Sequence, residues 1–152
     1  MIHHISISAK NTRKAADVLA EVIGGQVVPA PPEFPSNSWF VLAGDAHGTF
    51  VEVMPYGTEL QPGDGLPNFV PTEPGSPYSA SHALISVTAT CDQVVQIGQR
   101  EGWKTERCQR GPFDLIEFWV ENRILFEFTT PEMTAQYIRF LTSPNGLQPP
   151  LD

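Results

Sequence analysis

The sequence predicts an α+β chain of two tandem βαβββ modules followed by an extra helix. Three observations predict it: an internal repeat, strand and helix periodicities that recur in the same order, and a composition suited to a compact core. The repeat opens each time with a strand-like run led by histidine, His4-Ile5-Ser6-Ile7-Ser8 and His82-Ala83-Leu84-Ile85-Ser86-Val87. Each time it closes on a glutamate between apolar residues, Phe50-Val51-Glu52-Val53-Met54 and Leu125-Phe126-Glu127-Phe128. Repetition at such a period marks a duplicated structural unit. With 152 residues, 41% of them hydrophobic, the chain suffices for one domain or two fused halves.

The elements follow in order. Residues 2–8 alternate as a half-buried strand does, Ile5 and Ile7 on one side and His4, Ser6 and Ser8 on the other. Asn11 or Thr12 then caps a helix whose stripe is Ala15, Val18, Leu19, Val22 and Ile23, ended by Gly24-Gly25. Strands are predicted from Gln26, over 38–43 and over 49–54, with a proline-rich loop at 29–35. Residues 55–80 are dense in Pro and Gly and read as a linker between module one (2–54) and module two (81–130). In module two, Thr90 caps a helix carrying Val94, Val95 and Ile97 that stops near Gly102. Strands follow over 103–108, 115–120 and 123–129, the last two joined by a tight Glu121-Asn122 turn. Thr130 and Pro131 open the extra helix, 131–142, with Met133, Tyr137, Ile138 and Leu141 as its apolar stripe. Residues 1–142 thus make one domain and 143–152 a flexible tail.

Composition excludes several function classes. A formal charge of −8 disfavours nucleic acid and anionic membrane as partners, because both require clustered Lys and Arg. No run is long enough to span a bilayer, and the chain starts directly in strand-like sequence, so a cytoplasmic protein is expected. Cys91 and Cys108 form no CxxC pair and are expected as reduced thiols. Cys91, beside a helix cap, is a site where a thiol pKa can be depressed. Basic residues are denser in the second half (Arg100, Lys104, Arg107, Arg110, Arg123), a bias that suits a solvated surface or an anionic small molecule.

Side chains alternate across a strand, so neighbours reveal which face a residue takes. The helices need apolar sheet faces, supplied by Ile5/Ile7 and Ala83/Ile85/Val87; His4 and His82 are therefore predicted on the opposite, concave side. By the same parity Glu52 opposes Val51 and Val53, and Glu127 opposes Phe126 and Phe128. Ser6, Ser86, Trp39, Glu117 and Trp119 are expected to line the same cleft. A strand histidine alone is more often hydrogen-bonded or exposed than a ligand, and a strand glutamate can face solvent at an edge. Two carboxylates inside apolar strands nonetheless need exposure, a partner or a cation. Two imidazoles and two carboxylates, placed alike in both halves, are a ligand set for one divalent ion: His4, Glu52, His82 and Glu127. His3 and His47 are expected to be structural or exposed.

On these four residues the chain resembles the vicinal oxygen chelate superfamily, the glyoxalase I, bleomycin-resistance and ring-cleaving dioxygenase group. The resemblance spans about residues 2–130 and implies paired βαβββ modules forming a curved mixed sheet around the cation. It matches His4 and His82 to first-strand ligands, and Glu52 and Glu127 to fourth-strand glutamates. The chain departs from the family's habit in the first helix, Asp17-Val18-Leu19-Ala20-Glu21-Val22-Ile23-Gly24, which lacks an aromatic pair. Glu121-Asn122 likewise replaces the usual Asp-Pro-x-Gly-Asn turn.

The resemblance implies a metal-dependent lyase or isomerase of the glyoxalase type acting on a small molecule, with Zn, Ni, Mn, Fe or Co as the ion. Chelation of two vicinal oxygens would stabilise an enediolate after Glu127 or Glu52 removes the α-proton. It also implies a homodimer. Three other readings stay open: an Fe(II) dioxygenase using the histidines and Glu127, a thiol or phosphonate transferase with a cationic pocket, and a metal-free antibiotic-binding protein using the Trp39/Trp119 cleft.

Overall fold

The structure, a computed structural model, describes residues 2–62, 67–73, 75, 78–79 and 81–143. It divides into two compact units, Met1–Ala80 and Ser81–Asp152. The tail expected over 143–152 lies, apart from Ser143, outside the described residues.

The first unit contains β1 (His4–Ala9), α1 (Thr12–Ile23), β2 (Gln26–Pro29), β3 (Trp39–Leu42), β4 (Phe50–Pro55), β5 (Thr58–Gln61) and β6 (Asn68–Pro71). Its main sheet has the order β1-β4-β3-β2, with β1 parallel to β4 and the other pairs antiparallel. α1 forms as its stripe requires. The Asn11 side chain accepts from the Lys14 N–H at the start, and Gly24 takes a left-handed conformation (φ 70°) at the end. Ala15, Val18, Leu19 and Val22 are buried against β3 and β4, where Val41, Val51 and Val53 are also buried. Each such Val or Leu contributes about 1.5–3 kcal/mol by leaving water. The parity read from the sequence is therefore physical: Val51 and Val53 face the helix, and Glu52 between them faces away.

The segment expected as an irregular linker is partly ordered. β5 and β6 pair antiparallel as a hairpin, Leu60 opposite Phe69 and Thr58 opposite Pro71. Thr58, Phe69 and Val70 favour strand, and Pro71 sits at a strand end, where its missing N–H does least harm.

The second unit repeats the plan with β7 (Ala83–Ser86), α2 (Cys91–Glu101), β8 (Thr105–Arg110), β9 (Phe113–Val120) and β10 (Ile124–Thr129), then α3 (Pro131–Thr142). Sheet order is β7-β10-β9-β8, the counterpart of the first, and β7 runs parallel to β10. The two modules thus carry a mixed four-stranded sheet each. Thr90 and Gln93 form a reciprocal capping box at the start of α2. Glu121 and Asn122 both have positive φ (52° and 55°), the geometry that matches a two-residue turn to the twist of its strands. Asn122 does more: its side chain accepts from the Lys104 N–H at 2.6 Å and donates to the Gly102 carbonyl at 3.0 Å, pinning the entry to β8.

α2 lies close to its sheet because residue 98 is glycine. A Cβ there would meet Thr105 Cβ at 2.7 Å and Phe118 Cε2 at 3.1 Å. Gly98→Ala is therefore expected to lower stability by about 1–3 kcal/mol through overpacking, despite alanine's better helix propensity. Urea denaturation checks it; an unchanged or raised midpoint would mean that α2 simply moves away. No helix among the described residues is long and apolar enough to cross a membrane.

Candidate functional site

In the first unit, β1 and β4 place His4 and Glu52 on the face away from α1. Register pairs His4 with Phe50 and Ser6 with Glu52, so these four share a side. His4 Nε2 lies 3.9 Å from Glu52 Oε1, with the imidazole side chain half exposed and the carboxylate 12% exposed. The imidazole stacks on Phe50 at 4.7 Å between ring centroids, which restricts its rotation. The Ser6 hydroxyl donates to the other oxygen of Glu52 in a short hydrogen bond.

The second unit reproduces the arrangement. His82, one residue before β7, places Nε2 at 3.8 Å from Glu127 Oε2, with side-chain exposures of 50% and 15%. Phe126 and Phe128, flanking Glu127, are buried beneath it. Donors on one ion at bonds of about 2.1 Å sit roughly 3 Å apart when adjacent. Each His–Glu pair is within an ångström of that and needs only small side-chain rotations to chelate. The donor chemistry, imidazole plus carboxylate, suits Mn, Fe, Co, Ni or Zn.

Glu117 and Trp119 lie on the Glu127 side of the second sheet: Glu117 pairs with Glu127 across β9 and β10, and Trp119 with Leu125. Glu117 is only 7% exposed. Its charge is met by the Arg110 guanidinium, in a short ion pair, and by Trp119 Nε1, which donates at 3.1 Å. Ser86 joins a hydroxyl network in which Thr134 Oγ1 of α3 lies 3.0 Å from Ser86 Oγ and 2.8 Å from Thr129 Oγ1. Because Thr129 follows Glu127 by two on β10, α3 covers the far end of this face. Sequence reasoning had left α3 outside the repeat and without a place.

Trp39 is a correction. It pairs with Val53, not Glu52, and lies on the α1 side with the Arg13 guanidinium 4.5 Å from its ring. The residue that pairs with Glu52 is Phe40. Trp-Phe-Val-Leu carries no polar residue to mark a face, so only the strand partner reveals it. Cys91 is a second correction: burial raises its thiol above the ordinary range rather than depressing it, and burial likewise raises Cys108. His3 is structural, as expected, with Nδ1 2.7 Å from the His47 carbonyl.

Glu106, Cys108 and Glu117 bring ligand-type atoms within 4.8 Å of one another, a cluster the sequence reading missed because β8 is almost wholly polar. Glu106 is bound by Lys104 at 2.8 Å and Glu117 by Arg110, so cations already neutralise it. Arg107 bonds to Asp114 and Arg123 to Glu121. With Arg100 on Glu101 at 2.8 Å, all five of the basic residues that suggested an anion pocket are thus engaged by carboxylates.

No family model matches the sequence, and no curated protein does. Solved structures do. FosX, a fosfomycin resistance protein from Mesorhizobium loti, matches with a TM-score of 0.55 at 15% identity, over 90% of this chain and 96% of that one. FosX from Listeria monocytogenes, in complex with Mn(II) and sulfate, matches with a TM-score of 0.57 at 14% identity, over 92% and 97%. A possible glyoxalase from Bacillus cereus matches with a TM-score of 0.50 at 14% identity, over 85% and 97%. These structures share the fold of this chain, and a divalent metal is present in one of them. At these identities the likeness establishes architecture.

Proposed function

We propose that the protein is a divalent-metal-dependent enzyme of the glyoxalase type, with His4, Glu52, His82 and Glu127 as its metal ligands. The observation that carries this reading is the duplicated His–Glu pair, at nearly the same separation in both units and on the face that no crossover helix covers. An ion held by these residues would polarise two adjacent substrate oxygens and so acidify the proton on a carbon that bears one of them. Glu127 takes that proton and returns it at the neighbouring carbon, giving an isomer or an epimer. Glu52 is the poorer candidate for base, because Ser6 already donates to one of its oxygens. Glu117, held by Arg110 and Trp119, stands opposite Glu127 across β9 and β10. A screen of metal-loaded protein in D2O against 2-oxoaldehyde hemithioacetals, 2-methylacyl thioesters and catechols tests the reading. Exchange of an α-proton supports it; oxygen uptake with ring cleavage and no exchange would replace it with the Fe(II) dioxygenase reading, and tight drug binding without metal with the sequestering protein.

A reaction on a phosphonate, as the fosfomycin resistance neighbours suggest, is the second reading. Against it stands the state of the basic residues: Lys104, Arg107, Arg110 and Arg123 each face a carboxylate.

A homodimer belongs to the same proposal. Sedimentation at micromolar concentration is expected to give twice the 16.7 kDa chain mass. A monomer with full metal content would refute the assembly.

A further inference from the structure

The first unit carries a file of aromatic rings that starts at its His–Glu pair. Phe50 stacks under His4; Phe40 lies 5.2 Å from Phe50; Phe34 meets Phe40 edge-on at 5.0 Å; and Phe69 of the β5–β6 hairpin lies 4.9 Å from Phe34. Register fixes the side: Phe50 pairs with His4 and Phe40 with Glu52, so the file runs along the face opposite α1. All four rings are only half buried. The file ends in a cleft of about 300 Å³ walled by Phe34, Pro35, Phe69 and Pro71, with Ser36 and Thr58 on its polar side and Glu33 among its lining residues.

We infer that this file and cleft form the specificity subsite for a flat, uncharged apolar substituent, an aryl group by preference, on the substrate whose oxygens the ligand pair engages. The inference rests on the metal reading above and names the substrate class it implies. Three physical points carry it. Contiguous rings that each keep part of their surface in water leave apolar area for a further group to cover. The rings meet edge-on or tilted at 4.9–5.2 Å, arrangements that a further aromatic group can also adopt against them. A cavity of this size is at the lower end of small-molecule pockets and takes a one- or two-ring group. Glu33 disfavours an anionic tail there.

Hydroxamates test this, because they present two adjacent oxygens on a chosen substituent. By titration calorimetry, 2-naphthohydroxamate is expected to bind Mn(II)-loaded protein at least about tenfold more tightly than acetohydroxamate. Phe40→Leu, which keeps an apolar side chain but removes the ring, and Ser36→Trp, which fills the cleft from an exposed turn, should each erase most of that preference. Acetohydroxamate binding should fall far less than naphthohydroxamate binding in both variants. Equal affinities, or a preference intact in both variants, would overturn the subsite. 2-Naphthol on metal-free protein separates this from failure of the metal reading: binding that Ser36→Trp abolishes retains the subsite even if no hydroxamate binds, whereas no binding at millimolar concentration overturns it. Loss of 2-naphthol binding as the protein self-associates would assign the file to a second copy of the chain instead, and overturn the subsite equally.

Discussion

The parent protein, purified without chelator, is expected to hold about one divalent ion per chain, and His82→Ala is expected to lose it. Removing one ligand from a four-residue set lowers affinity by orders of magnitude, since the remaining donors must be supplemented by water and no longer exclude competing geometries. His82 is the sharpest choice because it is half exposed and lies just outside β7, so its removal leaves the sheet's hydrogen bonds untouched. His4→Ala should behave alike, with a larger structural cost because its ring also stacks on Phe50. Metal analysis by mass spectrometry after gel filtration reads the result, and circular dichroism confirms the fold. Parent protein that binds none of Zn, Ni, Mn, Fe or Co at micromolar concentration would end the metal reading; His82→Ala protein with full metal content would remove His82 from the ligand set.

The site pairs were legible in the sequence because alternation marks a face whenever polar and apolar residues differ along a strand. Ile5 and Ile7 against His4 and Ser6, and Val51 and Val53 against Glu52, are such cases, and the structure puts each on the side the pattern requires. Helix ends were legible too: Asn11, Thr90 and Thr130 all cap as their side chains allow. The failures share a cause. β3 is apolar throughout and β8 polar almost throughout, so neither alternates; Trp39 was assigned to the wrong face, and β8 was expected two residues before its actual start. Trp103, read as part of that strand, is buried against Phe118 instead, with ring centroids 5.7 Å apart. The β5–β6 hairpin hid within a Pro/Gly-rich stretch because its strands are only four residues long, and such short runs are masked by their surroundings. With it went the cleft, since Phe69 takes its meaning from Phe34 and Phe40, residues that only the fold brings near.

Glu127→Gln is expected to suppress solvent-deuterium exchange of the substrate α-proton by about 10²–10⁴-fold, the contribution of a positioned general base. Gln keeps the shape and leaves an amide oxygen for the metal, so metal content should fall far less than in His82→Ala. Phe126 and Phe128, buried on either side of Glu127, keep the strand in register. Glu52→Gln is the informative comparison. Its carboxylate already accepts from Ser6, and an amide oxygen can accept the same bond, so exchange should drop less there. If instead Glu52→Gln abolishes exchange and Glu127→Gln spares it, the base sits on the first module and the duplicated site is used in the opposite sense. Exchange undiminished in both variants would show that neither glutamate removes the proton. The duplication makes the contrast informative: two carboxylates occupy equivalent places on equivalent strands, but Glu52 accepts from Ser6 and pairs with Phe40 while Glu127 pairs with Glu117, so unequal losses of exchange would trace to those neighbours.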